Sequence, residues 1–458
     1  MKKILIYSST IILIILLAGF WSIVSKGYDR QNKIILNIKK IIPSHLARKI
    51  KNTIFVIPNL KEKNRVLNLQ VKKYEQGLNG QLFKEEVILS NKGKKFKIKE
   101  YFLPFKRLDL RLGWAATENS KRAHYIEIIN DKVLLISGLG RTIYFDKKNI
   151  NSDKLNQKEI NNNIIELLKN KNSELIGIRD LFYDDNYVFI SIIHKGKKGF
   201  TIDVYRAEYN LDKLVFEIFF ETNEYWQVYN VFSGGRIESY INNEILFSIG
   251  YSGSLDDPEN YLKAQNKNSF LGKIISINKA TRNPEIISYG HRNPQGLFYL
   301  DEKKLIINTE HGPFGGDEIN FNFLNETSIE KNFGWPISTE GKPYDHAKKF
   351  FKKNKWGVKT HKQNGFIAPI KFYSPAIGIS ELVYLKEKEK SNLYVSSLRA
   401  GSIYILELDE KLSKILKEDR IFFKEQRIRD LEFDPETNVF FALFEFTPSV
   451  GVISRLGH

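Results

Sequence analysis

Tyr-Gly-His-Arg-Asn-Pro-Gln-Gly-Leu at residues 289–297, Glu-His-Gly-Pro-Phe-Gly-Gly-Asp-Glu-Ile-Asn at residues 310–320 and Asn-Phe-Gly-Trp-Pro at residues 332–336 form three turn-rich clusters. Short runs that are typical of strands separate them. Gly and Pro fix unusual backbone angles, and loops that are held in this way are where binding sites are commonly built. Three such clusters in succession predict a functional site rather than a set of turns stabilised only by their own side chains.

The side chains of these clusters suit a metal and an anionic ligand. Asp317 and Glu318 supply hard oxygen ligands beside a Gly-Pro turn whose carbonyls add more, which suits calcium. Arg292, Asn293 and Gln295 offer planar groups with several hydrogen-bond donors, which suit a carboxylated or quinone-like ligand.

A repeated pair of apolar strands organises the chain from about residue 108 onward. In each unit an apolar strand is followed by a Gly-containing turn and a second apolar strand. The six units are residues 133–137 with 141–145, 187–191 with 200–204, 245–249 with 272–277, 305–308 with 317–320, 393–396 with 402–406, and 439–443 with 451–454. Six similar units predict an all-β fold, a six-bladed β-propeller over residues 108–458, rather than two β-sandwiches. Two long insertions, 252–271 and 321–375, are then loops at blade ends.

The N-terminus carries a targeting signal. Lys2 and Lys3 precede an apolar run at residues 4–24 that is long enough to span a bilayer. No convincing small-x-small cleavage site follows. Residues 1–26 are therefore predicted to be an uncleaved anchor in the inner membrane, with the rest of the chain on the periplasmic side. A cleaved signal peptide that releases an exported protein is the alternative.

Residues 27–107 are rich in Lys and differ in character from the repeats. Residues 35–54 have the pattern of a basic amphipathic helix, which either lies on the membrane or presents a solvated face. Residues 66–102 contain alternating runs that are typical of strands. This segment is interpreted as a basic accessory segment, whose strands form either a small module or an early part of the main domain.

Composition narrows the possible partners. The formal net charge is +18, mostly from Lys, but the sequence contains no arginine-rich helix, zinc finger or RNA-binding signature. An anionic membrane surface or acidic ligands therefore suit this charge better than nucleic acid. The chain has no Cys, which excludes disulfides, zinc-thiolate sites and a cysteine nucleophile.

The three clusters resemble the signature of the soluble quinoprotein sugar dehydrogenases, the glucose/sorbosone dehydrogenase family that includes aldose sugar dehydrogenases. The resemblance extends from about Val133 to the C-terminus and includes Gly-Gly-Arg-Ile at 234–237, Ser-Leu-Arg-Ala-Gly at 397–401 and Arg-Ile-Arg-Asp at 427–430. It does not cover the chain before about residue 108. It implies a six-bladed propeller that uses pyrroloquinoline quinone (PQQ) and calcium.

The resemblance also implies roles for individual residues. Carbonyls of Gly312 and Pro313 match those that hold the cofactor's calcium, and the acidic pair after them, Asp317 and Glu318, matches a structural calcium site. The side chains that match cofactor contacts are those of Arg292, Asn293, Gln295, Arg399, Arg427 and Arg429. Guanidinium groups suit a flat tricarboxylate, and calcium would polarise the quinone for hydride attack.

The family's catalytic base is a His oriented by an Asp, and neither matches here. The corresponding positions are Phe232 and Tyr251. Tyr is a poor base because its unperturbed pKa is about 10. His194 or His311 could replace the missing His, although each also has the pattern of an ordinary loop or turn histidine.

Two classes of function therefore follow from the sequence. The first is an anchored, outward-facing quinoprotein that oxidises an aldose or related polyol and passes electrons to a respiratory acceptor. The second is a non-catalytic binding or scaffold propeller that has lost its base pair. A lactonase-like metal hydrolase on the same architecture is a third reading that no resemblance favours.

Overall fold

The computed structural model describes residues 79–105, 121–227, 232–241, 243–252, 259–345, 347–357, 359–387, 389–424 and 426–456. Their strands form six sheets arranged in a ring, so the predicted six-bladed β-propeller is confirmed. No helix in these ranges is long and apolar enough to cross a membrane. The predicted anchor at residues 4–24 lies outside the described residues.

The strands, in chain order, are as follows. The first blades contain β1 (Leu82–Leu89), β2 (Lys95–Phe102), β3 (His124–Ile129), β4 (Lys132–Ser137), β5 (Thr142–Asp146), β6 (Lys158–Asn162), β7 (Glu174–Asp184), β8 (Tyr187–Gly196), β9 (Gly199–Glu208), β10 (Lys213–Leu214), β11 (Glu217–Glu221), β12 (Gly234–Ser239) and β13 (Glu244–Ile249). The remaining strands are β14 (Lys273–Asn278), β15 (Pro284–Tyr289), β16 (Pro294–Leu300), β17 (Leu305–Glu310), β18 (Asp317–Phe323), β19 (Lys371–Tyr373), β20 (Ile379–Glu387), β21 (Lys390–Ser397), β22 (Ser402–Leu408), β23 (Ile415–Phe422), β24 (Ile428–Asp434), β25 (Val439–Phe444) and β26 (Ser449–Leu456).

The first three strands of each blade form an antiparallel meander that runs outward from the axis, and in blade 1 the short outer strand β10 pairs in parallel with β6. Blades 1 to 5 begin at the inner strands β3, β7, β12, β16 and β20, and blade 6 begins at β24. The six repeats found in the sequence are the second and third strands of the six blades. These strands are mostly buried, and some contain continuous apolar runs such as Val133–Ile136, because neighbouring blades cover both faces of each sheet.

The propeller ring is closed by strands from both ends of the described chain. In blade 6 the order is β24-β25-β26-β2-β1, with β2 antiparallel to the C-terminal strand β26 over residues 95–102. The two strands predicted within the accessory segment 27–107 are thus part of the propeller, whose described residues begin before position 108. This pairing could not be predicted from local patterns because its two strands lie more than 340 residues apart in the sequence.

Apolar clusters between neighbouring blades form the core. A buried cluster lies at each of the six blade interfaces. A seventh cluster is aromatic and lies among the loops that include the two long insertions. The described helices are short: α1 (Ile164–Asn170), α2 (Glu259–Lys263), α3 (Lys348–Asn354) and three 3₁₀ turns at Lys147–Asn151, Asp301–Lys303 and Lys362–Asn364.

Candidate functional site

The candidate site lies at one end of the propeller axis. In an antiparallel blade the start of the inner strand and the end of the second strand lie side by side, as Pro294 and Glu310 do in blade 4. Most of the predicted site residues occupy these positions. Arg292 and Arg427 directly precede inner strands, and Arg399 directly follows a second strand. The fold therefore brings residues from blades 4, 5 and 6 to the same end.

Arg292 is held in a fixed orientation at the centre of this end. Its backbone N–H donates to Glu310 Oε1 at 2.5 Å, and its Nη1 donates to the carbonyl of His311 at 2.7 Å. Its guanidinium lies 4.4 Å from the ring centroid of Phe232 and 5.1 Å from that of Trp335. Contacts of this kind favour a cation and fix its plane. Arg292 is a preorganised positive charge.

Two further arginines share one carboxylate. Arg429 Nε donates to Glu445 Oε1 at 2.6 Å, and Arg427 Nε donates to Oε2 of the same residue at 2.8 Å. Burial opposes ionisation of Glu445, but Arg429 and Arg427 outweigh it and lower its pKa to about 2. Arg429 Nη1 reaches Gln295 Oε1 at 3.4 Å, and Gln295 Nε2 donates to Asn293 Oδ1 at 3.1 Å. One carboxylate thus pairs with two guanidinium groups.

His311 reports the electrostatic field at this end. Burial, together with the nearby charges of Arg292, Arg429 and Arg427, lowers its pKa to about 3 against the opposing effect of its hydrogen bond to Ile379. Its Nε2 lies 2.5 Å from the carbonyl oxygen of Ile379, so Nε2 carries the hydrogen and Nδ1 is left as an acceptor. Three cations act on this imidazole, which suits an anionic ligand.

Arg399 adds a fourth cation to the same end. It is half-buried, and its guanidinium makes no hydrogen bond or ion pair with any described residue. Its backbone N–H donates to Ile377, close to the segment that receives the hydrogen bond from His311. The structure therefore brings together all six residues predicted to contact a cofactor.

The positions expected for a base pair contain a stacked aromatic pair instead. The rings of Phe232 and Tyr251 have centroids 5.4 Å apart and an interplanar angle of 19°. Tyr251 is 2% exposed, and burial raises its pKa well above 10. Neither ring can accept a proton from a substrate hydroxyl at physiological pH.

A histidine–aspartate pair does occur, but in another place. His194 Nε2 lies 2.8 Å from Asp203 Oδ2 and 3.2 Å from the hydroxyl of Tyr205. All three residues belong to blade 2, and His194 is 3% exposed. Its described partners lie within that blade and not among the arginines, so this pair is part of the packing of blade 2.

The acidic residues predicted to bind calcium accept hydrogen bonds from groups within the protein. Asp317 accepts from the backbone N–H groups of Gly312 at 3.1 Å, Gly378 at 2.6 Å and Ile379 at 3.1 Å. Burial raises the pKa of Asp317 to about 6. These bonds hold the Gly-Pro turn against blade 5.

Glu318 is likewise occupied, since its Oε1 lies 3.0 Å from His361 Nε2 and its Oε2 accepts from Asn320 at 3.3 Å. Burial alone would lower the pKa of His361, but Glu318 outweighs it and raises the pKa. Within the described ranges, no group of three or more His, Asp or Glu side chains is arranged for a metal. Both carboxylates are thus engaged by donors within the protein, and calcium at this pair stays a prediction.

Sequence reasoning missed the residue that joins the blades beneath the site. Arg236 is buried and contacts residues from each of the five other blades. Its partners are Asp180 at 2.6 Å, the carbonyl of Gln295 at 2.6 Å, Glu381 at 2.7 Å, Asp430 at 2.7 Å and the ring of Tyr125 at 5.1 Å. The Gly-Gly-Arg motif was visible in the sequence, but its partners were not.

Together these features define a class: a six-bladed propeller with a cluster of arginines at one end of its axis. Comparison with known proteins then gives the family. The model of the family described as "Glucose / Sorbosone dehydrogenase" matches residues 149–445. Because this is more than half of the chain, the chain belongs to the glucose/sorbosone dehydrogenase family.

Individual relatives are more distant. An uncharacterised Synechocystis protein is 29% identical over 287 residues, which cover 58% of this chain and 66% of that protein. Aldose sugar dehydrogenase YliI of Escherichia coli is 26% identical over 259 residues, which cover 53% of this chain and 65% of that protein. Quinoprotein glucose dehydrogenase B of Acinetobacter calcoaceticus is matched over 51% of its length. The chain thus spans from about half to just under two-thirds of these relatives.

Solved structures show the same fold. The apo-form of the soluble aldose sugar dehydrogenase from Escherichia coli matches with a TM-score of 0.53 and 19% identity, covering 72% of this chain and 95% of that one. The holo form of the PQQ domain of a Coprinopsis cinerea pyranose dehydrogenase matches with a TM-score of 0.52 and 12% identity, covering 82% and 98%. At these identities the likeness supports the architecture alone.

Proposed function

We propose that this chain binds pyrroloquinoline quinone at the arginine end of its axis and oxidises an aldose or a related polyol. One observation carries the proposal: Arg427 and Arg429 share the one carboxylate of Glu445, and the guanidinium of Arg292 lies at the same end against aromatic rings and a carbonyl. A flat tricarboxylate would neutralise that charge, and guanidinium groups bind carboxylates through paired, directional hydrogen bonds. The family membership and the quinoprotein relative agree with this choice.

The residues of the chain would divide the work as follows. When bound, the quinone supplies the two-electron acceptor for a hydride from the sugar. Arg292, whose plane is fixed by aromatic rings, and Arg399, whose guanidinium has no described partner, would orient the carboxylates. His311 Nδ1 is the open imidazole acceptor beside them. It is proposed to take the hydroxyl proton once the bound tricarboxylate has neutralised the arginine charges that, with burial, lower its pKa. Carbonyls of Gly312 and Pro313 are the proposed ligands of a calcium ion near the quinone.

A second candidate is a binding propeller without turnover. The stacked rings of Phe232 and Tyr251 favour it, since they fill the positions where the family's base pair is expected. In this case the arginine end still binds the cofactor or a similar anion. The two candidates therefore share a ligand site and differ only in the proton transfer.

The proposal also includes a location. A span at residues 4–24 would anchor the propeller on the outer side of the inner membrane, or release it there after cleavage. A respiratory acceptor on the same side would then reoxidise the cofactor.

The deciding experiment loads the full-length protein with PQQ and calcium and follows the quinone absorbance while a panel of aldoses and polyols is added. Loss of the quinone band with any sugar supports the dehydrogenase. A bound quinone that no sugar reduces supports the binding propeller. Absence of binding would overturn both candidates. Arg399→Gln should weaken loading, whereas Arg282→Gln, at an exposed ion pair with Glu217 far from the axis, should not.

A further inference from the structure

A strongly basic segment lies in the insertion between β18 and β19. Residues 342–362 contain eight Lys and one Asp, a formal charge of +7, and all eight Lys are exposed. Lys348 pairs with Asp345 at 2.8 Å, and both side chains are exposed. The Nζ atoms of the other seven Lys make no ion pair or hydrogen bond with any described residue. We refer to residues 342–362 as the basic insertion.

The basic insertion is built onto the candidate site. Phe351 of α3 packs 5.7 Å from Trp335, measured between ring centroids, and Tyr261 lies 6.2 Å from the same ring. Trp335 in turn lies over the guanidinium of Arg292. A continuous set of aromatic contacts therefore connects the Lys-bearing helix with the arginine end, so the positive surface lies beside the site.

An exposed aromatic ring adjoins the first lysine of the insertion. Phe314 and Lys342 form an antiparallel bridge, with backbone hydrogen bonds of 2.8 and 3.0 Å in the two directions. A Cβ on Gly341 would lie 2.3 Å from the carbonyl oxygen of Gly315, so the two segments are in close contact. Directly opposed residues in such a bridge project to the same face. Phe314 is 61% exposed, which places an open ring next to a cation.

A second exposed ring, that of Tyr344, is 37% exposed and follows two residues later. Flat aromatic faces carry partial negative charge and pack against the slightly positive C–H faces of sugar rings. Ammonium groups attract carboxylates and sulfates as point charges. The combination of exposed rings with unpaired Lys fits a sugar that itself carries negative charge.

We propose that the basic insertion, with Phe314, is a docking surface for an anionic saccharide, a chain that carries uronic carboxylates or sulfates. This inference rests on the proposed function, since it names the substrate class that the same site would receive. A membrane surface fits less well because α3 turns Phe351 inward, at 3% exposure, and leaves no apolar face to insert. An acidic protein would use the charge but not the open rings.

The test measures saccharide binding to the full-length protein by affinity electrophoresis, which needs no cofactor. The probes are polygalacturonate, dextran sulfate, neutral dextran, vesicles rich in phosphatidylglycerol, and an acidic protein such as calmodulin. We expect retention by the anionic polysaccharides that weakens with salt, and little by neutral dextran. The first two probes separate a carboxylate ligand from a sulfate ligand.

Two variants and their matched controls locate the surface. The triple variant K349Q/K352Q/K353Q should bind about tenfold more weakly, and K92Q/K94Q/K95Q, at an exposed turn of blade 6, should bind like the parent. Phe314→Ala should weaken binding about fivefold, whereas Phe372→Ala, at an exposed ring on β19, should not.

Each remaining outcome overturns the proposal. These outcomes are equal losses in the test and control triples, binding to vesicles or to the acidic protein only, and no binding to either polysaccharide. A failure of PQQ loading would leave this assay readable, so the two proposals fail separately. Circular dichroism melts of all variants show whether any loss comes from misfolding.

Discussion

Two arginine layers lie on the same axis, and they differ in how their charge is balanced. Arg236 meets three carboxylates and is neutralised within the protein. Above it, Arg427 and Arg429 share the single carboxylate of Glu445. The same side chain therefore joins blades where its charge is matched and is available for a ligand where the charge is in excess. Charge balance, more than residue type, separates structure from function here.

The largest effect should come from removing Arg236, whose charge is balanced by buried carboxylates. Arg236→Met leaves Asp180, Glu381 and Asp430 buried without their cation, which should cost about 3–5 kcal/mol of unfolding free energy. Urea denaturation measures it. Arg282→Gln, which removes an exposed pair, should change stability by less than about 0.5 kcal/mol. Similar losses in both variants would contradict the axial role of Arg236.

The next effect concerns the Gly312-Pro313 turn, which Asp317 holds in place. Asp317→Asn replaces an oxygen that receives backbone N–H groups by an amide that cannot accept all three, at a cost of about 2 kcal/mol. Thermal melts with calcium and with a chelator sharpen the result. If calcium raises the melting temperature of the parent but not of the variant, Asp317 is a metal ligand and the interpretation of an internal anchor fails.

Substitutions among the arginines above Arg236 should change ligand binding more than stability. Arg399→Gln should weaken PQQ binding about tenfold, because one charge-assisted contact is lost, and should leave the unfolding free energy almost unchanged. Fluorescence titration and denaturation of the same preparation give both numbers. A large stability loss with unchanged affinity would assign Arg399 to the balanced layer instead.

The smallest effect should be a pH dependence of the unfolding free energy, caused by buried carboxyls on the inner strands near Arg236. Burial raises the pKa of Glu238 to about 8, and Asp180 and Asp184 contribute to the rise. Burial also raises the pKa values of Glu127 and Glu432 on neighbouring inner strands, and the charge of Glu238 adds to both rises. Because the folded state holds protons that the unfolded state releases near pH 4.5, stability should fall as the pH rises from about 4.5 to about 8.

Glu238→Gln should remove part of this slope, about 1 kcal/mol after allowance for solvent screening of a half-buried carboxyl. Urea unfolding at pH 5 and at pH 8.5 measures the difference. A slope as steep as that of the parent would show that Glu238 ionises normally. The matched variant Glu244→Gln, at the start of β13, should leave the slope unchanged.

The sequence predicted what local patterns encode. The paired apolar strands gave the six blades because each pair is contiguous in the chain, and the turn-rich clusters gave the arginine end because their residues precede or follow strands. The role of Arg236 was not predicted because its partners lie as far as 194 residues away in the sequence. The sequence shows that Phe232 and Tyr251 occupy the positions of the family's His and Asp. Only the structure shows that their rings stack on each other and pack near Arg292.

The closure of the ring by β2 and β26 has a consequence for how the chain is made. The C-terminal strand lies between β25 and a strand that was synthesised more than 340 residues earlier. Blades 1 to 5 can form as they emerge from the ribosome, but blade 6 stays open until the last strand is released. Until then the apolar edge of β2 is exposed. Completion of the ring therefore depends on a pairing between strands that are far apart in the sequence, and a variant without β26 should leave blade 6 open.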